Sequence, residues 1–166
     1  GFAVNCGMNG TQEVILVNER DEPIGTMEKI EAHRKAALHR AFSVFIFNSK
    51  GEMLLQQRAL NKYHSAGLWT NACCSHPAPG EATADAAHRR LQEELGFSTG
   101  LEKIFDFTYQ TAFDNGLIEH EFDHVLIGHY DGTVQPDVTE VQAYRYLSLD
   151  EIRHLLLSEP ETFTHW

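Results

Sequence analysis

The stretch Ser75–Phe97, SHPAPGEATADAAHRRLQEELGF, decides how this sequence folds. Its second half reads as a helix over Thr83–Leu95. Thr83 can cap it, Asp85 suits the positive end of its first turn, and Gly96 stops it. Ala84, Ala87, Leu91 and Leu95 recur at helical spacing and supply the apolar stripe. Residues four apart share a helix face, so Arg89 pairs with Glu93 and Arg90 with Glu94. The plain reading of this face is two solvated ion pairs. The chemical reading is that clustered carboxylates hold a hard divalent cation, which in turn neutralises phosphate oxygens.

The flanks of this helix read mostly as strands. Glu13–Asn18, Phe42–Asn48 and Met53–Gln57 precede it, the last two joined by a Ser49-Lys50-Gly51 turn. Phe105–Thr111, Leu117–Tyr130 and Val141–Leu147 follow it, and Leu149–Leu157 forms a second helix opened by Ser148 or Asp150. Asp21–Gly25 reads as a turn and Leu60–Pro79 as a loop. Residues 1–10 have no period and are set aside as a flexible tail or cloning remnant, leaving one domain over residues 11–166. No repeat or linker interrupts it. Mixed strands around one or two helices give an α/β (α+β) domain.

Outside the helix, chemistry-bearing residues gather in four places. Cys74 and His76, two apart, share a face if extended, which suits a metal or an activated thiolate. A small buried thiol and a surface imidazole is the plain alternative. In Glu119-His-Glu-Phe-Asp123 the three carboxylates alternate onto one strand face, where mutual repulsion calls for a cation or a raised pKa. A protonated carboxyl is what general acid catalysis needs. On a solvated strand the same pattern is ordinary. His33 and His39 are six apart, off the spacing of one helix face, and meet only if the chain bends between them. Arg58 and Lys62 are four apart and can both reach one anion, with Lys29 a further cation.

Composition sets the bounds. The chain has 166 residues with 13 Lys and Arg against 24 Asp and Glu, a net charge of −11. An excess of acid argues against nucleic acid and anionic membrane as partners, though not against a small anion held locally. No apolar run approaches the roughly 20 residues of a membrane span. Three cysteines, two of them adjacent, make a poor disulfide framework and point to a reduced, cytoplasmic setting.

The Ser75–Phe97 stretch resembles the Nudix box, G-x5-E-x7-R-E-U-x-E-E-x-G-U with U aliphatic. It matches at Glu81, Arg89, Leu91, Glu93, Glu94, Gly96 and an apolar Phe97; Ser75 replaces the opening glycine and Arg90 the glutamate after the arginine. That exchange removes a metal ligand and adds a phosphate partner, which favours diphosphate binding over cleavage. With Gly25–Lys29, Arg58–Lys62, Trp69–Pro77, Glu119–Glu121 and Phe163–Trp166 in order, the chain resembles the type I isopentenyl diphosphate isomerases across about Glu13–Trp166. The resemblance implies a Nudix-type fold, mixed sheets flanked by helices, and an intramolecular shift of a C=C bond from isopentenyl to dimethylallyl diphosphate by a monomer. A Nudix diphosphohydrolase is the alternative.

By the same resemblance Cys74, Glu121 and Tyr109 are catalytic. His33, His39, His76, Glu119 and Glu121 hold manganese or zinc. Glu94 helps hold magnesium on the diphosphate. Lys29, Arg58, Lys62 and Arg90 bind the diphosphate, and Trp69 and Trp166 line the isoprenoid pocket. An isolated alkene is a weak base whose cation water would trap, so the site needs an acid, a base and little water. Glu121 assisted by Tyr109 is expected as the acid and Cys74 thiolate as the base, with the reverse assignment open.

Overall fold

The computed structural model describes residues 12–62, 65–113 and 115–164. The expected tail over residues 1–10 and the pocket tryptophan Trp166 lie outside them. Strand β1 (Glu13–Val17) pairs antiparallel with β2 (Pro23–Glu28), where the sequence reads only as a turn. Helix α1 (Lys29–Lys35) follows directly. Its cap is the unusual one, Glu28, whose carboxylate accepts from the Ile30 and Glu31 amides at 3.0 and 2.8 Å. A glutamate cap carries little sequence signal, so this helix is invisible to propensity. Ala36 then turns the chain in the left-handed region, φ 53°.

Strand β3 (His39–Phe47) is the hub of the sheet. It runs parallel to β8 (Ile118–His129) along its whole length, from His39 beside Glu121 to Phe47 beside His129. The other edge of β3 meets β1 at His39, β6 (Cys73–Ser75) over Phe42–Val44, and β4 (Met53–Arg58) at Phe47. Strand β7 (Leu101–Ala112) pairs with β8, while β9 (Val141–Leu147) and β5 (Trp69–Thr70) flank β4. The segment expected as loop thus contains β5 and β6.

Helix α2 (Thr83–Leu95) has the expected bounds. Its cap position is Ala82, one residue earlier than expected, with no side-chain bond. Leu91, Leu95, Ala86 and Ala87 pack on Phe42, Val44 and Ile46 of β3. Ala84, expected in the stripe, is exposed, and Ala86 takes its place. Burying a leucine such as Leu91 contributes about 1.5–3 kcal/mol. Gly96 ends the helix at φ 72°, and a Cβ there would stand 2.7 Å from the Gln135 carbonyl oxygen. Helix α3 (Leu149–Ser158) opens with a reciprocal Ser148–Glu151 capping box. Among the described residues no helix is long and apolar enough to cross a membrane.

Because α2 covers the even residues of β3, the odd ones, His39, Ala41 and Ser43, face the other way. Strand register then fixes who stands beside them: Glu121 at His39, Asp123 at Ala41, and Cys74 at Ser43.

Candidate active site

Cross-strand partners project to one face. Register alone therefore brings Cys74 and Glu121 to a common face from strands on opposite edges of β3, with the small, buried Ala41 between. Cys73, the alternate residue of β6, points instead towards α2, its thiol 3.6 Å from Glu94 Oε2.

At the Glu121 end, His33, His39, His76 and Glu121 each present one donor atom, all within 4.8 Å of one another and all buried. His33 arrives on α1 and His39 opens β3; the left-handed turn at Ala36 swings them together, ring centroids 5.5 Å apart. His76, just past β6, lies 4.9 Å from the His39 ring. Burial pushes His33 down to about 3 and His76 down to about 4, with the neighbouring imidazoles adding to it. Both are neutral at pH 7, the form that ligates metals.

His39 Nδ1 bonds the Ala37 carbonyl oxygen at 2.9 Å and is therefore the protonated nitrogen. Its buried Nε2 has no hydrogen-bond partner and stands 3.3 Å from Glu121 Oε2. A buried ring nitrogen without a hydrogen-bond partner beside a carboxylate oxygen, with two more imidazoles converging, fits a divalent cation. Burial alone would raise Glu121; His39 and His76 overcome that and hold its carboxyl well below the ordinary range.

Glu119 stands outside this group of four and joins it through Tyr109. The phenol oxygen is 2.7 Å from Glu119 Oε1 and 2.5 Å from Glu121 Oε1. One phenol carries one proton, so it cannot donate to both. Burial and the Glu121 charge push Glu119 up, while burial and both carboxylates raise the Tyr109 phenol. The arrangement that satisfies every atom is a chain: protonated Glu119 donates to the phenol oxygen, and the phenol donates to ionised Glu121.

Cys74 Sγ lies 3.0 Å from Asn71 Oδ1 and 3.6 Å from Ser43 Oγ. The Asn71 amide nitrogen donates to the Val44 and Cys73 carbonyls at 2.9 and 3.1 Å, which fixes its oxygen towards the thiol. Ser43 in turn donates to Asp123 Oδ2 at 2.7 Å. Burial, then the Asp123 charge, push the Cys74 thiol up to about 12. Burial and the adjacent Asp123 carboxyl thus oppose the thiolate expected as the starting base. Asp123 is itself pushed up to about 7 by burial. The carboxylates of β8, which could have sat on a solvated strand, are all buried.

The cations divide into two sets. Lys29 opens α1, and its ammonium reaches Gln12 at 3.4 Å; it and Arg58 both act electrostatically on Glu119. Arg90 and Lys62 gather on the α2 side. Arg90 Nη2 lies 2.9 Å from Glu94 Oε2, the spacing read from the sequence, and 3.8 Å from Glu140 Oε2; Lys62 is hydrogen-bonded to the same Glu140 oxygen. Glu94 also accepts from Gln56 at 2.9 Å. Trp69 carries the Arg145 guanidinium 4.6 Å over its ring, so one of its faces is already taken by a cation. Asn71, Ser43 and Glu140 had no signal in the sequence; each is an ordinary polar residue whose place depends on strand register.

The NUDIX domain family model matches residues 37–166. The isopentenyl-diphosphate Delta-isomerase of Pectobacterium atrosepticum is 56% identical over 154 residues, covering 93% of this chain and 86% of that one. The protein of the same name from Burkholderia multivorans is 52% identical over 155 residues, covering 93% and 88%. Among solved structures, DR0079 of Deinococcus radiodurans superposes with a TM-score of 0.75 at 19% identity over 89% of this chain and 90% of its own. A MutT protein of Methanosarcina mazei superposes at 0.63 with 23% identity, covering 76% and 85%; both show a shared fold. By these matches the chain belongs to the NUDIX-domain proteins and, among them, to the isopentenyl-diphosphate Delta-isomerase family.

Proposed function

We propose that this chain isomerises isopentenyl diphosphate to dimethylallyl diphosphate, with Cys74, Glu121 and Tyr109 moving the protons. The observation that carries this reading is the common face shared by Cys74 and Glu121 across β3. An olefin lying over Ala41 would have sulfur at one side and a carboxylate at the other. The protons of the free chain suit a start in which Cys74 S–H gives its proton to the terminal alkene carbon. Glu121, bonded to Tyr109, then takes one from the carbon next to the diphosphate-bearing carbon. One passage leaves a thiolate and a protonated Glu121; proton return resets the pair. The acid and base roles foreseen from the sequence are exchanged in this account.

His33, His39, His76 and Glu121, with Glu119 joined through Tyr109, are the residues that would hold manganese or zinc. Such an ion would fix the Glu121 carboxyl and tune its basicity. Glu94 would help hold magnesium on the diphosphate, with Lys29, Arg58, Lys62 and Arg90 as its cationic partners. These contacts would anchor the small alkene between donor and acceptor. Diphosphohydrolysis is the weaker reading, because Arg90 replaces a box carboxylate and lies against Glu94.

The test is incubation of the metal-loaded chain with isopentenyl diphosphate in heavy water. Dimethylallyl diphosphate carrying deuterium, without phosphate release, is the expected result. Cys74→Ser should lose at least a hundredfold in kcat while still binding substrate. Phosphate release without isomer, or a serine variant with near-native turnover, would overturn the reading.

A further inference from the structure

Lys62 and Arg90 converge on a third charged residue, Glu140. Its carboxylate bridges the turn after β4 to helix α2: Oε2 accepts from Lys62 and stands 3.8 Å from Arg90 Nη2. The backbone holds it there. The Ala59 amide donates to the Glu140 carbonyl at 3.1 Å, which ties Glu140 to the turn bearing Lys62. The Asp137 amide donates to the Glu94 carbonyl at 2.9 Å and the Glu140 amide to the Asp137 carbonyl at 2.9 Å, which tie it to the end of α2. The ion pair is largely buried, with Lys62 and Glu140 side chains 13% and 17% exposed.

Positive charge is not in excess in this corner. Lys62 and Arg90 supply two positive charges, and Glu94 and Glu140 supply two negative ones. Exposed Glu93 adds a further carboxylate 3.1 Å from Arg90 Nη1. A bare phosphate or diphosphate therefore meets no net attraction here and must displace a buried carboxylate to reach either cation. Glu94 would tip the balance if it held a divalent cation brought by the ligand, since Arg90 would then lose its carboxylate partner.

We propose that Glu140 is a built-in counter-ion of the diphosphate cradle, one that makes acceptance of a diphosphate conditional on its divalent metal. This deepens the isomerase reading and rests on it. Glu140 touches no reacting atom; it is a specificity-determining, positioning residue.

Calorimetric binding of inorganic pyrophosphate to the full chain tests it, with excess magnesium or with chelator, in the native protein, Glu140→Gln and Glu140→Asp. The native chain should bind pyrophosphate at least tenfold more tightly with magnesium. Glu140→Gln should bind metal-free pyrophosphate about tenfold more tightly than the native chain, and the magnesium complex within threefold of it. Glu140→Asp keeps the charge and should keep native discrimination. Unchanged or weakened metal-free binding in Glu140→Gln overturns the proposal, as does an equal gain in Glu140→Asp. So does a native chain that binds no pyrophosphate with magnesium. Loss of the isomerase reading shows separately, as absent conversion of isopentenyl diphosphate by a chain that still discriminates in this way.

Discussion

Replacing His76 with Gln in the metal-stripped chain should make it respond to acid in the opposite sense to most histidine losses. His33 and His76 are pushed down to about 3 and about 4 from an ordinary 6.5. As pH falls below 6.5 the unfolded chain takes up a proton at each, while the folded chain refuses it until pH about 4. Stability from these groups is present above 6.5 and lost as pH falls, by about 1.4 kcal/mol per pH unit for each. Asp123, raised to about 7, and Glu119, also raised, work the other way. They hold protons in the folded state where the unfolded chain has lost them, so they add stability as pH falls towards about 4. Between pH 6 and 5 the losses at His33, His76 and His124, which burial also pushes down, are partly offset by the gains at Asp123 and Glu119. Removing His76 deletes one loss. Relative to the native chain, His76→Gln should therefore gain about 1.4 kcal/mol on going from pH 6 to pH 5. Urea unfolding followed by circular dichroism, with chelator at both pH values, measures this double difference. A difference below about 0.3 kcal/mol, or of opposite sign, would refute the account of a buried neutral imidazole.

Tyr109→Phe breaks the chain between Glu119 and Glu121, leaving two buried carboxyls without the phenol between them. Turnover should fall by about 10- to 100-fold with KM little changed, since general acid–base groups typically contribute about 100- to 10,000-fold and the phenol only assists; a fall in affinity alone would argue against this role. Gly96→Ala must place a Cβ at φ 72° and 2.7 Å from the Gln135 carbonyl oxygen. A loss of about 2 kcal/mol or more is expected in equilibrium unfolding, beyond the roughly 1 kcal/mol of left-handed strain alone.

The helix at the centre of the sequence was legible because its information is local. The apolar positions of α2, its Gly96 stop and the Arg90–Glu94 spacing all lie within a few turns, and only its cap and Ala84 came out differently. The alternating carboxylates of β8 were legible as a pattern. Whether they faced water or protein was not, since burial depends on α1 and β3, far away in sequence. Helix α1 was missed because its cap is a glutamate, and β5 and β6 because two or three residues carry no period.

The sequence by itself determined the residue types and their order: a box helix with arginine in place of a carboxylate, a thiol next to an imidazole, and a glutamate strand. Tertiary structure alone decided that His33 and His39 meet, that burial pushes the Cys74 thiol up, and that Glu140 stands against both Lys62 and Arg90. The physical reason is that these are effects of desolvation and of distance between charges. Both arise only when β3 gathers β6 and β8 on its two edges and water leaves the space between them.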